Sequence, residues 1–186
     1  MIEGEENLIT EAKQGSAASF GKLYDHYIAP IYRFIYMKVT NRHEAEDLTH
    51  EVFLSAWQNL YRYRPQGFPF SSWLYQIARN RVIDHYRLRK NNVSIEGLDV
   101  DIVSAVSSVE HTLDDDLSLR HVRSAMQRLN HDQQDVVLMK FMQDLSHGEI
   151  AKIMGRSEGA VRLIQHRAIS ELKRLLNANL NEAQPL

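Results

Sequence analysis

Cysteine is absent from the chain of 186 residues, and glycine and proline are scarce, at 8 and 4. Without cysteine there is no disulfide, no thiolate metal site and no thiol nucleophile, and a reducing compartment is suited. No stretch approaches the roughly 18 consecutive apolar residues of a membrane helix. The opening residues, MIEGEENLIT, are acidic and hold no apolar run, which predicts no signal peptide. Neither a glycine-rich phosphate loop nor a plausible Ser-His-Asp arrangement is found, which is consistent with a chain that does no bond chemistry. Hydrophobic residues nevertheless make up 44% of the chain, enough to build cores.

One sign of charge is missing locally. Residues 91–119 hold 7 acids and no lysine or arginine. Residues 1–90 carry 12 basic and 10 acidic side chains, and residues 120–186 carry 10 and 7. The formal net charge of −2 is therefore a cancellation between two mildly basic blocks and an acidic spacer. Helical periodicity on both sides of that spacer predicts an all-α protein. Two small helical domains, residues 1–90 and 117–180, are expected on an extended acidic linker at 91–116, with a turn near Gly97.

The first block reads as four helices. Residues 6–14 form a short one stopped by Gly15. A longer one from Ser16 carries Phe20, Leu23, Tyr24, Tyr27, Ile31, Phe34 and Ile35, with Pro30 expected to kink or interrupt it. Asn41 and Glu44 make a capping-box start for a third, whose buried stripe is Ala45, Leu48, Val52 and Ala56. Its opposite face collects Asp47, His50, Glu51 and Leu54, with Trp57 at the edge. An exposed leucine and tryptophan among acids suit a basic, partly apolar partner.

From Tyr61 to Lys90 there are seven aromatic residues, seven lysines or arginines and one acid, Asp84. Rings interleaved with cations suit unpaired nucleic acid, since bases stack on rings while cations follow phosphates. The segment reads as a solvent-facing loop running into a helix that starts at Ser71 or Ser72. Leu74, Ile77, Ala78 and Val82 fall on its buried side, and Trp73, Asn80, Ile83, Asp84 and Arg87 largely on the other.

In the last block, Leu119, Val122, Met126 and Leu129 recur at helical spacing, and Asn130 with Gln133 opens a helix carrying Val137, Leu138, Phe141 and Met142. Ser146 and Glu149 then form a capping box, Gly155 a left-handed turn, and Ser157 the cap of a second amphipathic helix. That order is the signature of a helix-turn-helix. The second helix buries Val161, Ile164, Ala168 and Leu172 and exposes Gly159, Arg162, Leu163 and His166, flanked by Glu158 and Arg167. Arginine reads guanine edges and leucine packs on a thymine methyl, so this face suits the major groove. Residues 177–186 read as a frayed tail.

The spacing W-L-x-x-I-A-R-N-x-x-x-D-x-x-R, met by Trp73, Leu74, Ile77, Ala78, Arg79, Asn80, Asp84 and Arg87, resembles a family pattern. It is similar to the second conserved region of sigma-70 family sigma factors, in their small extracytoplasmic-function (ECF) group. The run S-E-G-A-V-R-L-I-Q-H-R-A, from Ser157, resembles the fourth region of the same family. The likeness covers about Phe20 to Lys90 and Leu117 to Leu176. It implies that Asp47, His50, Glu51 and Leu54 dock on the clamp helices of RNA polymerase's largest subunit, although glutamine is usual where His50 stands. It implies that Arg62, Tyr63, Phe68, Trp73, Arg79, Asn80 and Arg87 recognise and melt the −10 promoter element and hold a flipped base. Glu158, Arg162, Leu163, His166 and Arg167 would read the −35 element, with Leu163 standing where many members carry a small residue. The linker would pass through the polymerase cleft near the RNA path. Implied partners are core RNA polymerase and promoter DNA, duplex and single-stranded, with an anti-sigma factor admitted as a third. No cofactor, metal or membrane insertion is implied, and the location would be cytoplasmic. The residues alone also allow a free-standing helix-turn-helix regulator whose N-terminal half is a sensor or dimerisation domain.

Overall fold

The computed structural model describes residues 2–39, 41–65, 69–96 and 117–182, and among them every regular element is helical. The first, α1 (Glu5–Lys13), ends where Gly15 takes φ 97°, a left-handed value that glycine adopts at little cost. Ser16 then caps α2 (Ala17–Tyr36), its hydroxyl accepting the Ser19 amide at 3.2 Å. Pro30 sits inside α2, yet the helix is not interrupted. An interior proline costs ~3 kcal/mol. Each of the buried Leu23, Tyr27, Ile31, Phe34 and Ile35 lines one face of α2, and full burial of a large apolar side chain is worth ~1.5–3 kcal/mol, so packing outweighs the lost hydrogen bond.

Asn41 caps α3 (Arg42–Asn59), accepting the Glu44 amide at 2.8 Å. The Glu44 carboxylate, expected to turn back on the cap, reaches Arg89 at 2.9 Å and His85 at 3.6 Å on the next helix. After a 3-10 turn at Leu60–Arg62 comes α4 (Phe70–Glu96), which differs from expectation at both ends. It begins before the two serines. The Pro69 carbonyl accepts the Ser72 amide at 3.0 Å, and the buried Ser72 hydroxyl has no partner among the described residues, so it is not placed as a cap. It also runs on to Glu96, so residues 91–96 are helix rather than linker. The rest of the acidic spacer, 97–116, with the turn expected at Gly97, lies outside the described residues, as does the end of the tail beyond 182.

The second half comprises α5 (Leu117–Gln127), α6 (His131–Phe141), α7 (His147–Met154) and α8 (Glu158–Glu182). Continuation of α8 to Glu182 makes residues 177–182 helical instead of a tail. Reciprocal capping boxes open α6 (Asn130 with Gln133) and α7 (Ser146 with Glu149). The buried Gln134 amide donates to the carbonyls of Met126 at 3.0 Å and Leu129 at 3.1 Å, pinning α5 to α6. Gly155, at φ 63°, turns the chain between α7 and α8. The two helical domains are not held apart. Their apolar interiors join in one cluster running from Ile9 to Ala168, with α4 packed on α7.

Candidate nucleic-acid interface

The buried stripe of α3, with Ala45, Leu48, Val52 and Ala56, sets which of its faces points outward. Asp47, His50, Glu51, Leu54 and Trp57 are all exposed, and with Leu54 at 57% the apolar part is open to a partner. Trp57 is steadied by the Phe20 ring, 4.8 Å away between centroids, and Glu51 lies 3.8 Å from Arg81. This is an acidic stripe with a fixed apolar tip.

The aromatic segment divides differently from expectation. Tyr63 is 5% exposed and belongs to the core, not to a solvent-facing loop. Its ring lies 5.4 Å from Phe70 and 5.3 Å from Trp73. The Lys13 ammonium sits 5.3 Å over the same ring and donates to the Tyr63 carbonyl at 2.7 Å. The physical reason is that four rings, Tyr27, Tyr63, Phe70 and Trp73, bury more apolar area as a cluster than separately in water. Burial accordingly raises the Tyr63 hydroxyl's pKa. Phe68 lies outside the described residues.

Among the described residues of this segment, the ring open to solvent is Tyr61, 57% exposed. The Arg62 guanidinium lies 5.3 Å over it and donates to its hydroxyl at 2.8 Å, while Arg64 donates to the Tyr61 carbonyl at 3.0 Å. Tyr61 was absent from the expected set. The run Tyr61-Arg62-Tyr63-Arg64 carries the pattern, but only the fold says which tyrosine faces out.

On α4, Leu74, Ala78 and Val82 are buried as expected, joined by Tyr75, while Asn80 and Arg87 are exposed and Trp73 and Ile77 half-buried. Arg79 breaks the expectation. Its side chain is 15% exposed and faces α6 rather than solvent. Its Nε donates to Asp135 Oδ2 at 2.8 Å and its Nη2 to Asp132 Oδ1 at 3.1 Å. A carboxylate pair offers the same anionic oxygens as phosphate, so the cation is satisfied within the chain. A separate cleft of about 320 Å³ is lined by Arg62, Trp73 and Gln76 from the first half and Lys152 and Ile153 of α7.

In the helix-turn-helix, Ser157 Oγ accepts the Ala160 amide at 3.2 Å, and His147 Nε2 meets Gln165 Oε1 at 2.5 Å, tying α7 to α8. Val161 and Ala168 are buried and Ile164 and Leu172 half-buried, which leaves Glu158, Gly159, Arg162, Leu163, His166 and Arg167 exposed. Arg162 lies 3.5 Å from Glu158. Among the described residues no helix is long and apolar enough to cross a membrane.

Comparison with known proteins follows the same division. Residues 23–92 match the family model for Sigma-70 region 2, and residues 125–174 that for Sigma-70, region 4. The ECF RNA polymerase sigma factor BldN of Streptomyces coelicolor is 39% identical over 91% of this chain, which spans 64% of BldN's length. The RNA polymerase sigma factor CarQ of Myxococcus xanthus is 31% identical over 88% of this chain and 92% of its own. Among solved structures, RpoE of Bartonella quintana, in complex with the anti-sigma factor NepR, shares the fold. Its TM-score is 0.73 at 22% identity, over 85% of this chain and 96% of that one.

Proposed function

Because this chain belongs to the sigma-70 family of RNA polymerase sigma factors, in its ECF group, we propose a division of labour among its surfaces in promoter-specific initiation. The stripe of Asp47, His50, Glu51 and Leu54 docks on core RNA polymerase. Arg62, Trp73, Asn80 and Arg87 engage the −10 strand, with Tyr61 as the exposed stacking ring. Glu158, Arg162, Leu163, His166 and Arg167 read the −35 duplex. The protein works in the cytoplasm beside the polymerase and catalyses no bond chemistry of its own. An anti-sigma factor is a further partner class, the kind that NepR represents on the similarly folded RpoE. The domain limits 1–90 and 117–180 are part of the proposal, with the first extended to Glu96 by the course of α4.

The observation that carries this reading is the exposed Arg-Leu-His face at the start of α8, since a helix-turn-helix serving only as a corner has no use for it. A free-standing regulator is set aside, because both halves match regions of one family in order.

Capture on core RNA polymerase tests the docking part. Asp47→Arg with Leu54→Ala changes only exposed side chains, so the fold is expected to survive while binding to core polymerase weakens at least about tenfold, the ~1.4 kcal/mol that a reversed charge and a truncated apolar contact easily supply. A folded double variant that keeps full affinity removes α3 from the interface.

A further inference from the structure

The helix α1 lies before residue 23, where the match to Sigma-70 region 2 begins, and yet it reaches the strand-binding segment. Its 9 residues are too few for a helix to persist alone in water, so packing keeps it in place. Ile9 and Ala12 are buried, and α1 rests on α2 and on the 3-10 turn at Leu60–Arg62. Polar groups fix both of its ends. At the start, the buried Glu5 carboxylate accepts from the Tyr27 hydroxyl. Toward the end, Glu11 Oε2 accepts from the Ser19 hydroxyl at 2.5 Å, and the Lys13 ammonium donates to the Tyr63 carbonyl at 2.7 Å. Tyr27 and Tyr63 both pack on Phe70, so α1 grips one aromatic cluster at two points.

The grip on Tyr63 is twofold, because the same ammonium stands 5.3 Å over its ring. A cation on a ring face and a charged donor on a carbonyl are both stronger than their neutral counterparts. The consequence falls on the neighbouring side chains. The run Tyr61-Arg62-Tyr63-Arg64 repeats one dipeptide, so composition does not decide which tyrosine faces inward. The 3-10 turn ends with Tyr63 at φ −59° and ψ 130°, its amide returning to the Leu60 carbonyl at 3.0 Å. Held there, Tyr63 is 5% exposed and Tyr61 57%. Arg62 and Arg64 then both bond to Tyr61, one at its hydroxyl and one at its carbonyl. Burial, and after it the charge of Arg64, lower the Lys13 pKa. That repulsion favours the outward turn of Arg64 to Tyr61.

Deepening the reading given under Proposed function, on which it rests, we infer that Lys13 is a positioning residue for strand capture. From a helix outside the matched region it holds Tyr63 inward. It thereby selects Tyr61 as the outward ring and sets Arg62 and Arg64 around it, where an unpaired base and its phosphates meet them.

Two measurements on the full chain test this. Tetranitromethane nitrates exposed tyrosines, and mass spectrometry of digests reads Tyr61 against Tyr63. The parent is expected to be nitrated at Tyr61 at least about tenfold faster, since a buried ring reacts only through local opening. Lys13→Met keeps the aliphatic stem and loses the ammonium. It is expected to cut that ratio about tenfold, or ~1.4 kcal/mol, the scale of one hydrogen bond from a charged donor. Lys13→Arg restores the ratio, because a guanidinium can both donate and sit over the ring. On core polymerase at a promoter, permanganate reactivity of thymines should fall about tenfold in Lys13→Met and recover in Lys13→Arg, with capture on core unchanged. With Tyr61→Ala already present, Lys13→Met should add less than about twofold, since a residue acting through Tyr61 has nothing left to position. An unchanged nitration ratio in Lys13→Met, no recovery in Lys13→Arg, or a change that comes only with loss of helical signal in circular dichroism overturns the positioning role. A changed ratio with normal thymine reactivity, or a full further loss in the Tyr61→Ala background, overturns the route to strand capture. A parent that opens no promoter sinks the role in initiation, while the nitration ratio still judges how Lys13 places the two rings.

Discussion

Arg162→Ala probes the assignment of α8 to sequence reading. The Arg162 side chain is 64% exposed and lies 3.5 Å from Glu158, a pairing across one helical turn. Exposed pairs of this type are worth ~0.3–0.5 kcal/mol. Its loss should therefore lower the melting temperature of a chain this long by no more than about 2 °C. By the same figure, releasing Arg162 from Glu158 to meet DNA takes at most ~0.5 kcal/mol from the contact it gains. A bidentate arginine on a guanine edge contributes ~1–3 kcal/mol of discrimination, roughly 5- to 150-fold between the right and wrong base pair. Arg162→Ala should accordingly flatten the preference at one −35 position and leave the neighbouring positions alone. Arg167→Ala, on the flank, should weaken all sequences alike and reduce the slope of log affinity against log salt by about one unit. Selection of bound sequences from a randomised duplex, followed by anisotropy titrations at several salt concentrations, reads both effects. Uniform weakening by Arg162→Ala, with position preferences unchanged, would refute the base-edge assignment. A large fall in melting temperature would show that the side chain is structural.

Two further outcomes are expected. Tyr63→Ala should behave as a core truncation, costing ~3–5 kcal/mol and lowering the melting temperature by about 6–20 °C. Tyr61→Ala should leave stability unchanged but reduce open complexes by ~1–3 kcal/mol, read by permanganate reactivity of thymines around the start site. Normal reactivity with Tyr61→Ala, alongside a fully stable Tyr63→Ala, would reverse the two assignments. The His131 ring lies tilted against Tyr86 across the junction of the two halves, 4.9 Å between centroids. Burial, then Lys38, and also Arg79, lower its pKa against the opposing pull of Asp135 and Asp132. Between that lowered value and the ordinary ~6.5 the unfolded chain binds more protons, so stability is lost as pH falls below about 6.5. The melting temperature should fall more from pH 7.5 to 5.5 in the parent than in His131→Gln, and equal responses would remove His131 from the balance.

The sequence was readable where the signal is local. Asn130 with Gln133, Ser146 with Glu149, and Gly155 are each decided within one turn, and the structure has them as read. The exposed faces of α3 and α8 follow from a 3.6-residue period that tertiary packing did not disturb. Failures came where the deciding partner is distant in sequence. Tyr61 and Tyr63 are alike in composition and neighbourhood, and what separates them is whether Phe70, Trp73 and Lys13 close over the ring. Pro30 was read by the rule for an isolated helix, but α2 is held by a buried face that such a rule does not see. Phe141, at helical spacing with Val137, is 60% exposed because Val136 and Met139 take the inward positions of α6.

Arg79 is the instructive case, because the residue type was right and the partner was not. Its guanidinium suits any paired oxygens carrying negative charge, and the motif around it gives no sign of which anion it meets. Asp132 and Asp135 lie 53 and 56 positions further along the chain. Asp135 is followed in sequence by the apolar run Val136 to Met139, but Asp132, Gln133 and Gln134 precede it. An acid at the head of that run, next to polar residues, did not announce its burial, so its cation partners were not legible from the sequence. The consequence for function is quantitative. If one arginine serves both the carboxylates and the DNA strand, apparent strand affinity is the intrinsic affinity multiplied by the fraction of molecules whose Arg79 is free of them. Anything that binds only that form then supplies its own share of the release. If α3 docks on polymerase and α8 reads the −35 duplex, both would be coupled to melting through the Arg79 contacts with Asp132 and Asp135.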